Sequence, residues 1–539
     1  MKKSSFLLMF LIFCLIILTG SIDLNAQSKT LAKEGIQTQA KSNTQVKPNI
    51  QSTANTKSTS NNQSRAALLN AYFSKLAENG QFNGNVLIAE NGKIVYEKSF
   101  GYADLALKKL NVTSTSFPVA SVTKTITSTA ILQLEEKNKL KLSDEYSKYF
   151  PAFPYPDITI KQLLSHTSRI PSGDFYKFLD SLRKEKDTFF TNKDVVPALV
   201  KMNKSLQGEP AGEGTRSNFA YSNVNYYLLA LLIEHISGMP FNSYLRKYIF
   251  LPAGMENSSL SEFYFGIDKN LCKEQRYRYL FSELPESIDT TSDNAYIFRT
   301  YNFKGHGDVV STTHDLLKYS QALDSGILLK KLTLSNAYQP IVPPANPNTS
   351  GYGLGWSLLY DTTYGNVVFH HGGGLGIEVM FVRNLSRHQT IILFDNMKFY
   401  AFDKALSAMK ILNSEKISIP KLSTAKKYGH ELMTGGMTGG RKVLERLKAD
   451  TTNYNTDENE MNLLGYQFLW NNLNDQAFEV LKTNVELFPA SWNSYDSYGE
   501  ILLKLGKKNE AAKNYQRSIE LNPKNDAGKK ILEQIKAGN

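Results

Sequence analysis

Ser121-Val122-Thr123-Lys124 sets a hydroxyl and an amine three residues apart. On a helix this spacing puts both groups on one face, where the amine can take the hydroxyl proton and make it a nucleophile. Ser-x-x-Lys recurs at Ser181, Ser407, Ser418 and Ser423, so context has to choose among five instances. Two further groupings carry usable chemistry. In Tyr221-Ser222-Asn223 the phenol, beside a lysine ammonium, is expected to titrate below its usual range and pass protons, while the Asn223 amide can fix the lysine or a substrate carbonyl. In Phe369-His370-His371-Gly372-Gly373-Gly374-Leu375-Gly376 the glycines allow a substrate close to the strand backbone, and His370 supplies a donor next to it.

The elements around Ser121 single it out. Asn85 to Glu90 and Lys93 to Gly101 read as two strands joined by Asn91-Gly92, a strong hairpin signal. Thr125 to Lys139 carries Ile, Leu and Ala at helical spacing, so Ser121 is expected at a helix N-terminus. The positive end of the helix dipole there favours the oxyanion that nucleophilic attack creates. Tyr221-Ser222-Asn223 precedes a second helix pattern, Val224 to Ser237, stopped by Gly238. The glycine run lies between apolar, strand-like stretches.

Together these motifs resemble the serine β-lactamase family, the group containing class C β-lactamases, D-Ala-D-Ala carboxypeptidases, D-aminopeptidases and related esterases. The resemblance runs from about Asn85 to Asn396 and includes Ile160-Lys161-Gln162-Leu163-Leu164-Ser165-His166-Thr167-Ser168, Tyr352-Gly353-Leu354-Gly355-Trp356, and Val310-Ser311-Thr312 before Asp315. It implies an α+β fold, an antiparallel sheet flanked by helices, with the active site between sheet and helices. It also implies that Ser121 is acylated, that Lys124 and Tyr221 share acid/base duty, and that Asn223 is the amide of the second motif. His370 then takes the third-motif position held by Lys or His, and the amides of Ser121 and Gly373 form the oxyanion hole. No cofactor or metal is implied. Two departures stand out, Arg169 where the family usually has Gly and His371 where Thr or Ser is common, and the register is open too, since His371-Gly372-Gly373-Gly374 also fits the third motif. The His370 register keeps Gly376 at the family's spacing. His166 is read as structural, tying loop carbonyls together.

The 539 residues, 41% of them hydrophobic, can build a large core in two or three units. Residues 1–26 read as a cleaved export signal: Met1-Lys2-Lys3, an apolar core from Phe6 to Leu18, and Leu24-Asn25-Ala26 before Gln27. The apolar run is short for a membrane span, so no stable span is expected in the mature chain. Residues 27–64 are a polar, flexible tether, residues 65–420 the hydrolase domain, and residues 425–539 an all-α domain. The last contains a 34-residue repeat: Gly465 recurs as Gly499, Leu469 as Leu503, Ala477 as Ala511, and Glu486-Leu487-Phe488-Pro489 as Glu520-Leu521-Asn522-Pro523. That resembles tetratricopeptide repeats, with Gly439 to Ala449 as a degenerate first unit and Asp526 to Ile535 as a cap.

A net charge of +12 is dispersed, and no basic-aromatic motif points to nucleic acid. After signal removal only Cys272 remains, which excludes an internal disulfide. The expected protein is a periplasmic or secreted serine hydrolase for a small-molecule or peptide-like substrate, with the repeats free to bind a protein partner. Two alternatives stand beside it: a β-lactamase or D-Ala-D-Ala carboxypeptidase acting on cell-wall peptides, and a non-catalytic envelope-binding scaffold. Intact Ser121, Lys124 and Tyr221 argue against the last.

Overall fold

Asn91 and Gly92 take positive φ values of 50° and 74°, the left-handed pair that a two-residue hairpin between twisted strands demands. They join β1 (Gly84–Glu90) to β2 (Lys93–Phe100). The structure, a computed structural model, describes residues 54–538 apart from 172–174, 184–188, 206–218, 261–269, 289–301, 344–349, 362 and 398–400. The expected export signal lies outside the described residues. So does the expected tether up to residue 53, and its last residues belong to a helix, α1 (Ala54–Glu78).

The hairpin β1–β2 forms one side of a seven-stranded sheet whose remaining strands come from late in the chain. A small hairpin, β3 (Gln275–Arg276) with β4 (Glu286–Ser287), lies outside it. The others are β5 (Ser350–Tyr352), β6 (Ser357–Asp361), β7 (Gly365–Gly373), β8 (Glu378–Asn384) and β9 (Gln389–Asp395). The order is β5-β6-β7-β8-β9-β1-β2, with every neighbouring pair antiparallel. This is the antiparallel α+β arrangement expected from the motifs.

Side chains alternate across the sheet and both faces are covered, so the central strands read as continuous apolar runs. All seven residues of β9 are buried. Leu87, Val368, Val379, Phe381, Ile392 and Phe394 join a large core with α2 (Thr123–Glu136) and α4 (Asn223–Ser237). Val86, Ile88, Val367, Phe369, Met380 and Leu393 pack on the other side with α1 and α5 (Ala401–Leu412). A short helix, α3 (Ile160–Leu164), opens on a capping box between Thr159 and Gln162. Gly238, at φ 66°, ends α4 in the left-handed conformation a helix stop favours.

The C-terminal region is helical apart from a two-residue strand, Tyr454–Asn455, that pairs with Leu422–Ser423: α6 (Thr424–Thr434), α7 (Gly436–Ala449), α8 (Glu458–Trp470), α9 (Asn474–Leu487), α10 (Trp492–Lys504), α11 (Lys508–Leu521) and α12 (Asp526–Lys536). The sequence period has a steric cause. A Cβ on Gly465 would lie 2.4 Å from Leu481, and one on Gly499 3.1 Å from the Tyr515 ring, so both mark the close crossing of a helix pair. Among the described residues no helix is long and apolar enough to cross a membrane.

Candidate active site

Ser121 lies in a single 3-10 turn, Ala120–Val122, that runs directly into α2. Ala120 immediately before it holds φ at +44°, a left-handed conformation that costs an L-residue about 1–2 kcal/mol. The surroundings impose it. Val119 N–H donates to Val309 O (2.9 Å), and the end of β7 presses from the other side. A Cβ on Gly372 would lie 2.3 Å from Val119 O and 3.3 Å from Ser121 N. This glycine therefore lets the Ser121 turn itself approach the strand, where the sequence suggested room for substrate.

One turn into α2, Lys124 is fully buried. Its Nζ lies 3.0 Å from Ser121 Oγ, 2.8 Å from Asn223 Oδ1 and 2.7 Å from His306 O. Burial drives the amine well below its ordinary pKa, against a smaller opposing pull from Asp308. A neutral amine has two N–H donors and one lone pair. The three oxygen neighbours of Lys124 Nζ accept all three protons of the ammonium; once a proton is lost, the Asn223 and His306 carbonyls keep both remaining donors and the lone pair faces the Ser121 hydroxyl.

Tyr221 hydrogen-bonds Ser121 as well. The residue is 44% exposed, so substrate can reach its edge. Its phenol is pushed up by burial of the hydroxyl, with the Ser121 contact drawing it back. The sequence-based expectation was the reverse, a phenol lowered by an ammonium. Desolvation of the phenol sets the direction, and burial also disfavours the ammonium form of Lys124 that was expected to lower it. His166 positions this tyrosine: its ring lies 4.3 Å from the Tyr221 ring, and its Nδ1 accepts from Ser222 N–H at 3.2 Å. His166 thus accepts a backbone N–H and packs on the Tyr221 ring instead of tying loop carbonyls.

His370 and His371 point to opposite faces of β7. His370 is buried on the site face, with Nδ1 2.7 Å from His371 O and Nε2 3.2 Å from the Tyr352 hydroxyl. Burial, reinforced by Lys124, pushes its pKa down to about 3. The neutral ring then donates from Nδ1 and accepts the tyrosine at Nε2, so both nitrogens are engaged. The substrate donor expected of His370 is already committed within the protein. His371 faces the other side, 3.4 Å from Glu378 Oε1.

The Gly373 amide follows from strand register. Gly374 N–H donates to Ile377 O (2.9 Å), and Gly372 and Gly373 pair with Val379 and Glu378. Hydrogen bonding alternates along an antiparallel pair, so Gly372 bonds to β8 and Gly373 turns its N–H the other way. On that edge the β6 pairing ends at Phe369, which leaves the Gly373 amide open toward the Ser121 turn.

Sequence reading missed the turn before the short strand Val309–Ser311. Asp308 Oδ1 accepts from Gly305 N–H (2.6 Å), shaping the turn so that the His306 carbonyl meets Lys124. A main-chain acceptor has no side-chain signature; Gly305, at φ 93°, was the available hint.

With this geometry in hand, comparison with known proteins is decisive. A family model described as Beta-lactamase matches residues 69–408. The chain belongs to the Beta-lactamase family. Penicillin-binding protein 4* of Bacillus subtilis (strain 168) is 34% identical over 382 residues, covering 68% of this chain and 80% of that protein. A penicillin binding protein from Bacillus halodurans superposes with a TM-score of 0.52 at 23% identity, covering 63% of this chain and 98% of that one. D-amino acid amidase from Ochrobactrum anthropi SV3 gives 0.51 at 21% identity, with 66% and 98% covered. These two structures share the fold.

Membership in the Beta-lactamase family of serine hydrolases makes one departure physically legible. Arg169, standing where the family has glycine, takes φ +53°, the region glycine enters without cost. The family glycine thus answers a backbone demand at this bend, and Arg169 bears it as strain while its side chain is exposed.

Proposed function

We propose that this chain is an exported serine hydrolase working through an acyl-enzyme on an ester or amide, either a short ester or a peptide-like substrate. The observation that carries the reading is Lys124: a fully buried amine, 3.0 Å from Ser121 Oγ, with both its donors taken by carbonyls. Ser121 Oγ attacks the substrate carbonyl as its proton passes to Lys124 Nζ. The oxyanion is received by the Ser121 and Gly373 amides. Tyr221, bonded to Ser121, relays the proton to the leaving group, and water then releases the acyl group by the reverse sequence. Export rests on the N-terminal signal pattern, and the helical region is offered as a surface for a protein partner.

A neutral His370 supplies no positive charge for a substrate carboxylate. That favours neutral esters and amides over β-lactams. The relative at 34% identity, named a penicillin-binding protein, supports a second reading as a D-Ala-D-Ala carboxypeptidase or β-lactamase. Mass spectrometry of the mature protein with p-nitrophenyl esters, D-amino acid amides, D-Ala-D-Ala peptides and β-lactams separates the two. Ester or amide turnover with a transient adduct on Ser121 is expected. Turnover confined to β-lactams or D-Ala-D-Ala peptides would establish the second reading, and no adduct with any member of the panel would overturn both.

A further inference from the structure

The hairpin β3–β4 touches two distant parts of the molecule. At its base, Glu274 Oε2 accepts from Gly376 N–H (3.1 Å), and Glu274 O accepts from Ile288 N–H (3.1 Å). A Cβ on Gly376 would lie 2.6 Å from Gln275 N, and one on Gly374 3.1 Å from Glu274 Oε2, so the turn between β7 and β8 packs directly on residues 274–275. That turn begins one residue after Gly373. The base is also tied to the sheet, since Gln275 N–H donates to Asn396 O and Asn396 Nδ2 donates to Lys273 O, both at 2.9 Å.

The tip docks on the C-terminal helices. Phe281 stacks on Phe468 of α8 with ring centroids 4.5 Å apart and planes 8° from parallel. Leu280 N–H donates to Gln467 Oε1 (2.7 Å), and Lys426 of α6 lies over the Tyr277 ring. Gly429 of α6 leaves only 3.2 Å between a would-be Cβ and Phe281 Cβ. Leu280 and Phe281 thereby complete the core that holds Tyr428, Leu464 and Phe468. The connection between base and tip is short: the pairs Gln275–Ser287 and Arg276–Glu286 lead through Tyr277 into a turn closed by Ser282 N–H donating to Tyr279 O (3.0 Å), so residues anchored at both ends lie six positions apart along the chain.

We propose that this hairpin is a strut through which the C-terminal helical domain positions the oxyanion amide of Gly373, with Glu274 as the positioning residue at its catalytic end. The proposal rests on the hydrolase reading for its catalytic readout but not for its structural one.

The test uses full-length protein and the variants Phe281→Ala, Glu274→Ala, Glu274→Gln and Gln467→Ala. Two readouts are taken: p-nitrophenyl acetate kinetics with inhibition by phenylboronic acid, whose tetrahedral adduct needs the oxyanion amides, and deuterium uptake of the peptide spanning residues 372–378. Phe281→Ala and Glu274→Ala are expected to lower kcat about tenfold, hold KM within about twofold, weaken boronate inhibition about tenfold, and speed exchange of that peptide. Glu274→Gln, which keeps an acceptor oxygen, should restore kcat to within about threefold of wild type. Gln467→Ala removes one hydrogen bond at the docking surface and should give a smaller loss of the same kind, which keeps the test open if Phe281→Ala does not fold. Wild-type exchange at 372–378 in the folded Phe281→Ala or Gln467→Ala proteins would overturn the strut. Wild-type protein inactive on every ester, amide, D-Ala-D-Ala peptide and β-lactam of the panel, with exchange still coupled, would overturn the hydrolase reading and leave the coupling standing.

Discussion

Lys124 and Asn223, 99 residues apart in the chain, meet at 2.8 Å, and that contact helps decide which way the lysine lone pair faces. Asn223 and His306 O together take both donors of a neutral amine. The result is a base aimed at Ser121, held without a fixed counter-charge in hydrogen-bonding contact. Substituting an anion for the Asn223 amide would favour the ammonium. Asn223→Asp is therefore expected to move the acid limb of the kcat/KM profile up by one pH unit or more and to lower activity at pH 7 about tenfold. A profile superimposable on wild type would show that Lys124 is not the base.

The sign of the wild-type profile follows from the same site. Lys124 is lowered by burial and Tyr221 raised, so burial favours a neutral amine beside a neutral phenol. Activity should fall on the acid side as Lys124 takes up a proton, and stay level through neutral and mildly alkaline pH. Initial rates on a p-nitrophenyl ester from pH 5 to 9 measure this directly. A rate that climbs as pH falls would contradict it.

Ser121→Ala removes the nucleophile while leaving the buried lysine and its two carbonyl partners in place. Ester or amide hydrolysis should drop by roughly 10⁴-fold, because groups that act as a unit fail together. A fluorophosphonate probe should label wild type and spare the variant. Equal labelling of both would exclude an acyl-Ser121 intermediate.

His370 has no titration available to it near neutrality. Its pKa is pushed down to about 3, chiefly by burial, and its ring bridges His371 O and Tyr352. The ratio of nitrocefin to p-nitrophenyl acetate turnover should therefore stay within about twofold between pH 5 and 8. A ratio rising severalfold toward pH 5 would mean that an imidazolium meets the β-lactam carboxylate.

Arg169 offers a test of backbone strain. At φ +53° glycine is the residue the bend prefers, and a β-branched side chain the one it least accommodates. Thermal unfolding should rank Arg169→Gly at or above wild type, and Arg169→Val below both. Equal melting temperatures for the Gly and Val variants would show that the position bears no strain.

Much of this molecule is legible from local pattern. The Ser121 to Lys124 spacing, the Asn91-Gly92 turn, the Gly238 stop and the 34-residue recurrence of Gly465 as Gly499 are all short-range signals, because helix pitch, turn conformation and helix crossing are set by neighbours in the chain. The protonation states were not legible. Lys124 is driven toward its neutral amine, and His370 is held neutral, because segments around residues 223, 306 and 352 close over them and remove water, and desolvation belongs to the assembled pocket and not to any residue type. The use of the glycines was decided the same way. Gly372 and Gly376 looked like room for a substrate, yet they accommodate Val119 and Gln275 of the protein itself, a close approach that exists only once strands and loops far apart in the chain are brought together. The sequence by itself determined which chemical groups were available and the local elements that carry them; the tertiary structure alone decided which of those groups face one another, in what charge state, and through which hairpin the helical domain reaches the catalytic strand.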